Sequence, residues 1–128
     1  MEYSSEVVWR CDSPRRAGEL PHALPGLLSG QAEDRVLQVW VRFDLQVQHG
    51  VIQTARFEAF GCPHTVAAAD LAAEWLEGQP LEAARRVDAR ELMAALDVPV
   101  EKLGKLLRIE DAAAACAGGT PQGSSEEH

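Results

Sequence analysis

The residue whose type and setting most invite chemistry is Cys62, in Phe60-Gly61-Cys62-Pro63-His64-Thr65. An alternating run stops at Phe60 and a helical pattern begins after Pro63, so the thiol falls at a strand-to-helix corner. Unpaired amides and the dipole of a helix N-terminus favour a thiolate, the form that attacks electrophiles and ligates metals. Gly61 lets the chain turn sharply, and Pro63 suits a first helical turn. A blander reading stands beside this one, because a cysteine at a tight corner also serves as a small buried hydrophobe. His64 reads either as a further ligand or as a solvent-facing residue of the helix start. Cys11 belongs to the end of a first helix, and Cys116 packs in an alanine-rich last turn. His22 and His49 read as loop and turn residues.

The whole chain narrows what this site can serve. Its 128 residues suit one domain, and 46% hydrophobic with 25% charged residues is a globular composition. Twenty acidic against twelve basic residues give a net charge of −8, which repels phosphate backbones. Arg15-Arg16 and Arg85-Arg86 are too short to form a basic patch, so no nucleic-acid partner is expected. No run is long and apolar enough to span a bilayer, and the acidic start is unlike a signal peptide. Three widely spaced cysteines point to a reducing compartment, and the cytoplasm is the expected location. No serine–histidine–aspartate order, phosphate-cradling glycine loop or framed carboxylate pair suggests an enzyme.

The elements that must position Cys62 can be read from periodicity. Residues 3–10 suggest a short helix ended by Ser13-Pro14. Residues 17–30, rich in proline and glycine, read as a loop with at most one edge strand. Leu37, Val39, Val41, Phe43, Leu45 and Val47 alternate with polar residues, which predicts a strand over 36–47. His49-Gly50 makes the turn into a return strand over 51–60, with Val51, Ala55, Phe57 and Ala59 on one face. A helix over 66–77 follows, capped by Thr65, with Leu71 and Trp75 on its apolar stripe. Short helices are expected over 81–87 and 88–96, the second capped by Asp88, and a last helix over 99–117. The predicted class is α+β, a small antiparallel sheet with helices packed on one face. Its expected core includes Leu37, Val39, Val41, Phe43, Phe57, Leu71, Trp75, Leu103 and Leu107. One domain is expected over 1–118, with a disordered polar tail over 119–128.

Four segments in order carry a resemblance. Ala55-Arg56-Phe57-Glu58-Ala59-Phe60-Gly61-Cys62, and then Glu74-Trp75-Leu76-Glu77-Gly78, resemble the heart of IscU/NifU iron–sulfur cluster assembly scaffolds. Ser13-Pro14-Arg15-Arg16-Ala17-Gly18 resembles that family's early Asn-Pro-Arg-Asn-x-Gly. Val98-Pro99-Val100-Glu101-Lys102-Leu103 resembles its Leu-Pro-Pro-x-Lys segment, and Glu110-Asp111-Ala112 a helical stretch beyond it. The likeness spans about residues 3–117.

The resemblance implies an iron–sulfur cluster or zinc held by three cysteines, an aspartate and a histidine. Carried onto this chain, the aspartate is Asp34 and the second cysteine is Cys62. The first cysteine falls on Ala32, and the histidine–cysteine pair falls on Gly104-Lys105. A cluster or a structural zinc wants about four ligands. Asp34 and Cys62 give two, and His64 is a candidate third. The protein is therefore expected to purify without stoichiometric metal. Lys105 either lies near Asp34 and Cys62 and carries part of the metal's charge, or simply points to water from the first turns of the last helix. Three functions remain open. The first is a degenerate scaffold acting as partner or regulator of a cysteine desulfurase or another assembly protein. The second is a carrier completing its metal site from a second subunit. The third is a binding module that kept the fold and left the pathway.

Overall fold

The computed structural model describes residues 3–118, and the tail expected from 119 lies outside them. Helix α1 (Ser5–Asp12) leads to a meander of β1 (Leu27–Asp34), β2 (Val39–Gln48) and β3 (Val51–Phe60). Then come α2 (Pro63–Leu76), a 3-10 turn (Leu81–Arg85), α3 (Ala89–Leu96), a second 3-10 turn (Val100–Lys102) and α4 (Leu103–Cys116). The sheet order is β1-β2-β3, antiparallel throughout. This is the expected α+β arrangement, with β1 longer and more regular than the edge strand foreseen in the proline-rich stretch.

The alternation in β2 sets the layers. Val39, Val41, Phe43 and Leu45 are buried, while Trp40 and Arg42 are partly exposed. His49 and Gly50 both take positive φ, 55° and 78°, which makes the tight turn that suits a twisted hairpin. A register shift between Gln46 and Val47 then changes which β3 residue faces inward. Ile52 is buried at the start of β3, where Val51 had been expected. Gly30 lets β1 lie against α4: a Cβ there would sit 2.5 Å from the Cys116 amide nitrogen and 2.6 Å from the Ala112 carbonyl oxygen.

The outer edge of β3 is not left open. Gly18 donates to the Phe57 carbonyl and Phe57 to that of Arg16, while Ile52 exchanges bonds with Gln79 and Gly78. The polar face of β2 is covered at one point, where Asp44 is buried. Its carboxylate accepts from the Leu20 amide, the Ser29 hydroxyl and the Arg42 guanidinium. Burial opposes its ionisation, and these donors together outweigh that and hold the carboxyl below its ordinary range.

Four expected core residues are displaced outward. Leu37 is in the β1–β2 turn and exposed, and Trp75 overhangs the end of α2, 41% exposed. Leu103 and Leu107 are only partly buried. Their places are taken by Leu106 and Ile109 of α4 and by Leu92 and Leu96 of α3. The buried stripe of α4 thus runs through Leu106 and Ile109, on a helix whose backbone Gly30 admits close to β1.

Candidate functional site

Cys62 is the N-cap residue of α2, three residues earlier in the chain than the expected cap Thr65, because Pro63 rather than Val66 opens the helix. Thr65, foreseen as the cap, lies inside the first turn and is buried. Its hydroxyl lies 3.7 Å from the Cys62 Sγ. Gly61 suits that turn, since a Cβ there would lie 3.1 Å from Thr65 Oγ1, a tight contact.

The Cys62 thiol is acidified. Burial is the largest influence and works against the thiolate. It is outweighed by the Thr65 amide and hydroxyl, the His64 amide and the positive charge of Lys105. The pKa falls below the ordinary thiol value. The other two cysteines move the opposite way. Burial, Asp12 and Cys62 raise that of Cys11. Burial and Asp44 push Cys116 up to about 12, and its Sγ donates to the Phe43 carbonyl at 3.4 Å.

His64 is not a solvent-facing residue. It is 1% exposed and stacks edgewise against Tyr3, with ring centroids 4.7 Å apart. Burial, then Lys102 and Lys105, lower its pKa, Glu101 opposing them, so the ring is neutral near neutral pH. Its Nδ1 is buried with no hydrogen-bond partner among the described residues.

Asp34 closes β1, and its carboxylate has local work. Oδ1 accepts from the Leu37 amide at 3.0 Å, fixing the turn, and Oδ2 lies 3.9 Å from Arg108 Nη1. Its cationic neighbour is therefore Arg108 and not Lys105, which instead acts on Cys62 and His64. Ala32 stands on β1 opposite Val41. Gly104 is packed on by Leu37, whose Cδ1 would lie 3.2 Å from a Cβ built there.

The sequence thus placed Cys62 and Lys105 within electrostatic reach of one another. It missed Arg108, Thr65 and Leu37 as neighbours. The Arg108–Asp111 spacing of three on one helix was a readable signal, whereas contact across to Asp34 was not. Among the described residues, no three His, Cys, Asp or Glu side chains converge as a metal-holding group. The donor set does not fit a cluster or a tetrahedral ion on a single chain. What the arrangement offers chemically is one thiol of lowered pKa, within the electrostatic influence of Lys105.

The surroundings of this end are apolar and open. Phe60 is 68% exposed, and Val36 and Val100 are exposed as well. No described helix is long and apolar enough to cross a membrane.

Comparison with known proteins follows the same lines. Residues 2–119 match the family model described as NifU-like N terminal domain. The iron-sulfur cluster assembly scaffold protein IscU of Azotobacter vinelandii is 29% identical over 116 residues, covering 88% of each chain. The protein of the same name from Rickettsia prowazekii is 31% identical over 119 residues, covering 88% of this chain and 86% of its own. A crystal structure of a NifU-like protein (N-terminal) from Brucella abortus superposes with a TM-score of 0.65 at 19% identity, covering 88% of this chain and 89% of that one.

Proposed function

Since the chain belongs to the family of NifU-like N-terminal domains, we propose that it is an iron–sulfur cluster assembly protein working as a partner or regulator on a cysteine desulfurase. In this reading it does not hold a cluster by its own ligands. One observation carries this. The Cys62 thiol is acidified by the Thr65 and His64 amides, the Thr65 hydroxyl and the charge of Lys105, while the Asp34 carboxylate is engaged by Leu37 and Arg108. A cluster is cargo for such a protein, and two donors are too few to retain it.

The residues favour sulfur handling instead. The Cys62 thiolate attacks the terminal sulfur of a persulfide on the partner's cysteine. A new S–S bond forms at Cys62 as the partner's S–S bond breaks, and the partner's cysteine leaves as a thiolate. The persulfide proton stays with the transferred sulfur, and no outside oxidant or reductant enters. Lys105 balances the anionic charge, and the apolar rim of Phe60, Val36 and Val100 supplies docking surface.

The test is incubation with a desulfurase and cysteine, followed by intact-mass measurement after trapping. Added sulfur on Cys62, lost in Cys62→Ser, together with desulfurase binding, is the expected result. Absence of both binding and transfer would leave only a fold without the pathway.

A further inference from the structure

At the far end of α2, about 20 Å from Cys62 at the rise of a helix, a groove lies between that helix, the first 3-10 turn and the start of α3. Its volume is about 520 Å³, within the roughly 300–1,000 Å³ typical of ligand clefts. Ala72, Leu76, Ala83 and Val87 make an apolar floor, and Trp75 forms one side. Trp75 shares an i,i+4 stripe with buried Leu71, yet it is held half in water beside this trough. Large aromatic rings so placed are the usual anchors of protein interfaces.

The rim is charged, with one sign dominant. Glu82, Asp88 and Glu91 face Arg86 alone. Asp88 is occupied in capping α3. Glu82 and Glu91 are exposed, and no ion pair engages them among the described residues. The walls are fixed in advance. Leu81 donates to the Gly50 carbonyl and Ile52 to that of Gln79, while the Ala89 amide donates to Glu110. A preformed trough avoids part of the ordering cost of binding.

We propose that this groove binds a cationic amphipathic peptide segment of a partner protein. An aliphatic anchor lies over Ala83 and Val87 against Trp75, and flanking lysine or arginine side chains meet Glu82 and Glu91. Charge complementarity selects this occupant. A second copy of a chain carrying −8 is repelled, and the residues from 119 onward, Gly-Thr-Pro-Gln-Gly-Ser-Ser-Glu-Glu-His, supply neither aliphatic anchor nor lysine or arginine. The proposal is independent of what Cys62 does.

The experiment uses the full chain with Trp9→Phe and Trp40→Phe, which leaves Trp75 as the sole indole. Three short model peptides of equal length are titrated: leucine/lysine amphipathic, leucine/glutamate amphipathic, and serine/lysine. The leucine/lysine peptide is expected to bind saturably, to shift Trp75 emission to the blue and to move the amide resonances of Ala83 and Val87. Glu82→Lys with Glu91→Lys, both at exposed positions, should weaken it about tenfold or more. Ala83→Arg, which fills the trough, should abolish it; should that variant misfold, the charge-reversed pair decides alone. Absence of saturable binding, equal binding of either control peptide, an unaffected charge-reversed pair, or resonance shifts centred on Cys62 would overturn the proposal.

Discussion

The two ends of α2 are built on opposite plans. Toward its C-terminal half, Arg10 of α1 is 5% exposed and fully engaged, with Nε on Glu6 at 2.7 Å, Nη1 on Asp70 at 2.7 Å and Nη2 on Glu74 at 2.8 Å. Asp70 accepts the Arg16 amide with its other oxygen, and Glu77 collects Arg16, Arg56 and the Ala55 amide. At the N-terminal end, the Cys62 thiol has a long contact to the Thr65 hydroxyl beside the Thr65 and His64 amides, and among the described residues His64 Nδ1 and Arg108 Nε are buried without hydrogen-bond partners. A network that satisfies every donor locks elements together. Polar groups left unsatisfied are a common mark of places kept for chemistry. The contrast separates what holds the fold from what the fold presents.

The largest effect is expected where the network is complete. Arg10→Met leaves Asp70 buried without its cation and should cost about 3–5 kcal/mol, read as a fall in the denaturation midpoint. Cys62→Ser, by comparison, should change stability by less than about 1 kcal/mol. Comparable costs at both positions would erase the contrast. Next comes Gly30→Ala, whose Cβ meets α4 backbone rather than a yielding side chain. It should cost about 1–3 kcal/mol, and a neutral result would mean that α4 does not lie so close to β1.

These sites also show what the sequence could reveal. Period-two alternation in β2 and β3 and the His49-Gly50 turn are local patterns, and each is found in the fold; the second helix is found too, but it starts at Pro63 and not at Val66. The register shift at Gln46/Val47, which brings in Ile52 over Val51, has no local signature. The burial of Leu106 and Ile109 over Leu103 and Leu107 is set by how α4 lies on the sheet, a long-range contact with no local signature. Cys62 was legible because its chemistry depends on its own corner. The burial of His64 depends on Tyr3 of the N-terminal segment, and the engagement of Asp34 depends on Arg108. Neither long-range pairing leaves a spacing to read.

Smaller effects sharpen the site end of the comparison. His64 has a lowered pKa, so the unfolded chain binds its proton more readily than the folded one. Its contribution to stability is therefore present above the ordinary histidine value and is lost as pH falls through that value toward the folded pKa. His64→Phe should flatten the decline of stability between neutral and mildly acidic pH, and an unchanged slope would place the ring in water. The smallest change is expected from Lys105→Met. It removes one of several influences that acidify Cys62 and should raise the thiol pKa slightly and slow alkylation near neutral pH. An unaltered rate would show the ammonium too distant to act.

The central claim is that this chain presents an activated thiolate without a ligand set able to keep a cluster. Anaerobic incubation with iron and sulfide, followed by gel filtration and elemental analysis of the monomer, tests it most directly. The account predicts protein that emerges without stoichiometric iron, and with the same content in wild type and Cys62→Ser. A full complement of iron and sulfide on the monomer, abolished by Cys62→Ser, would contradict it.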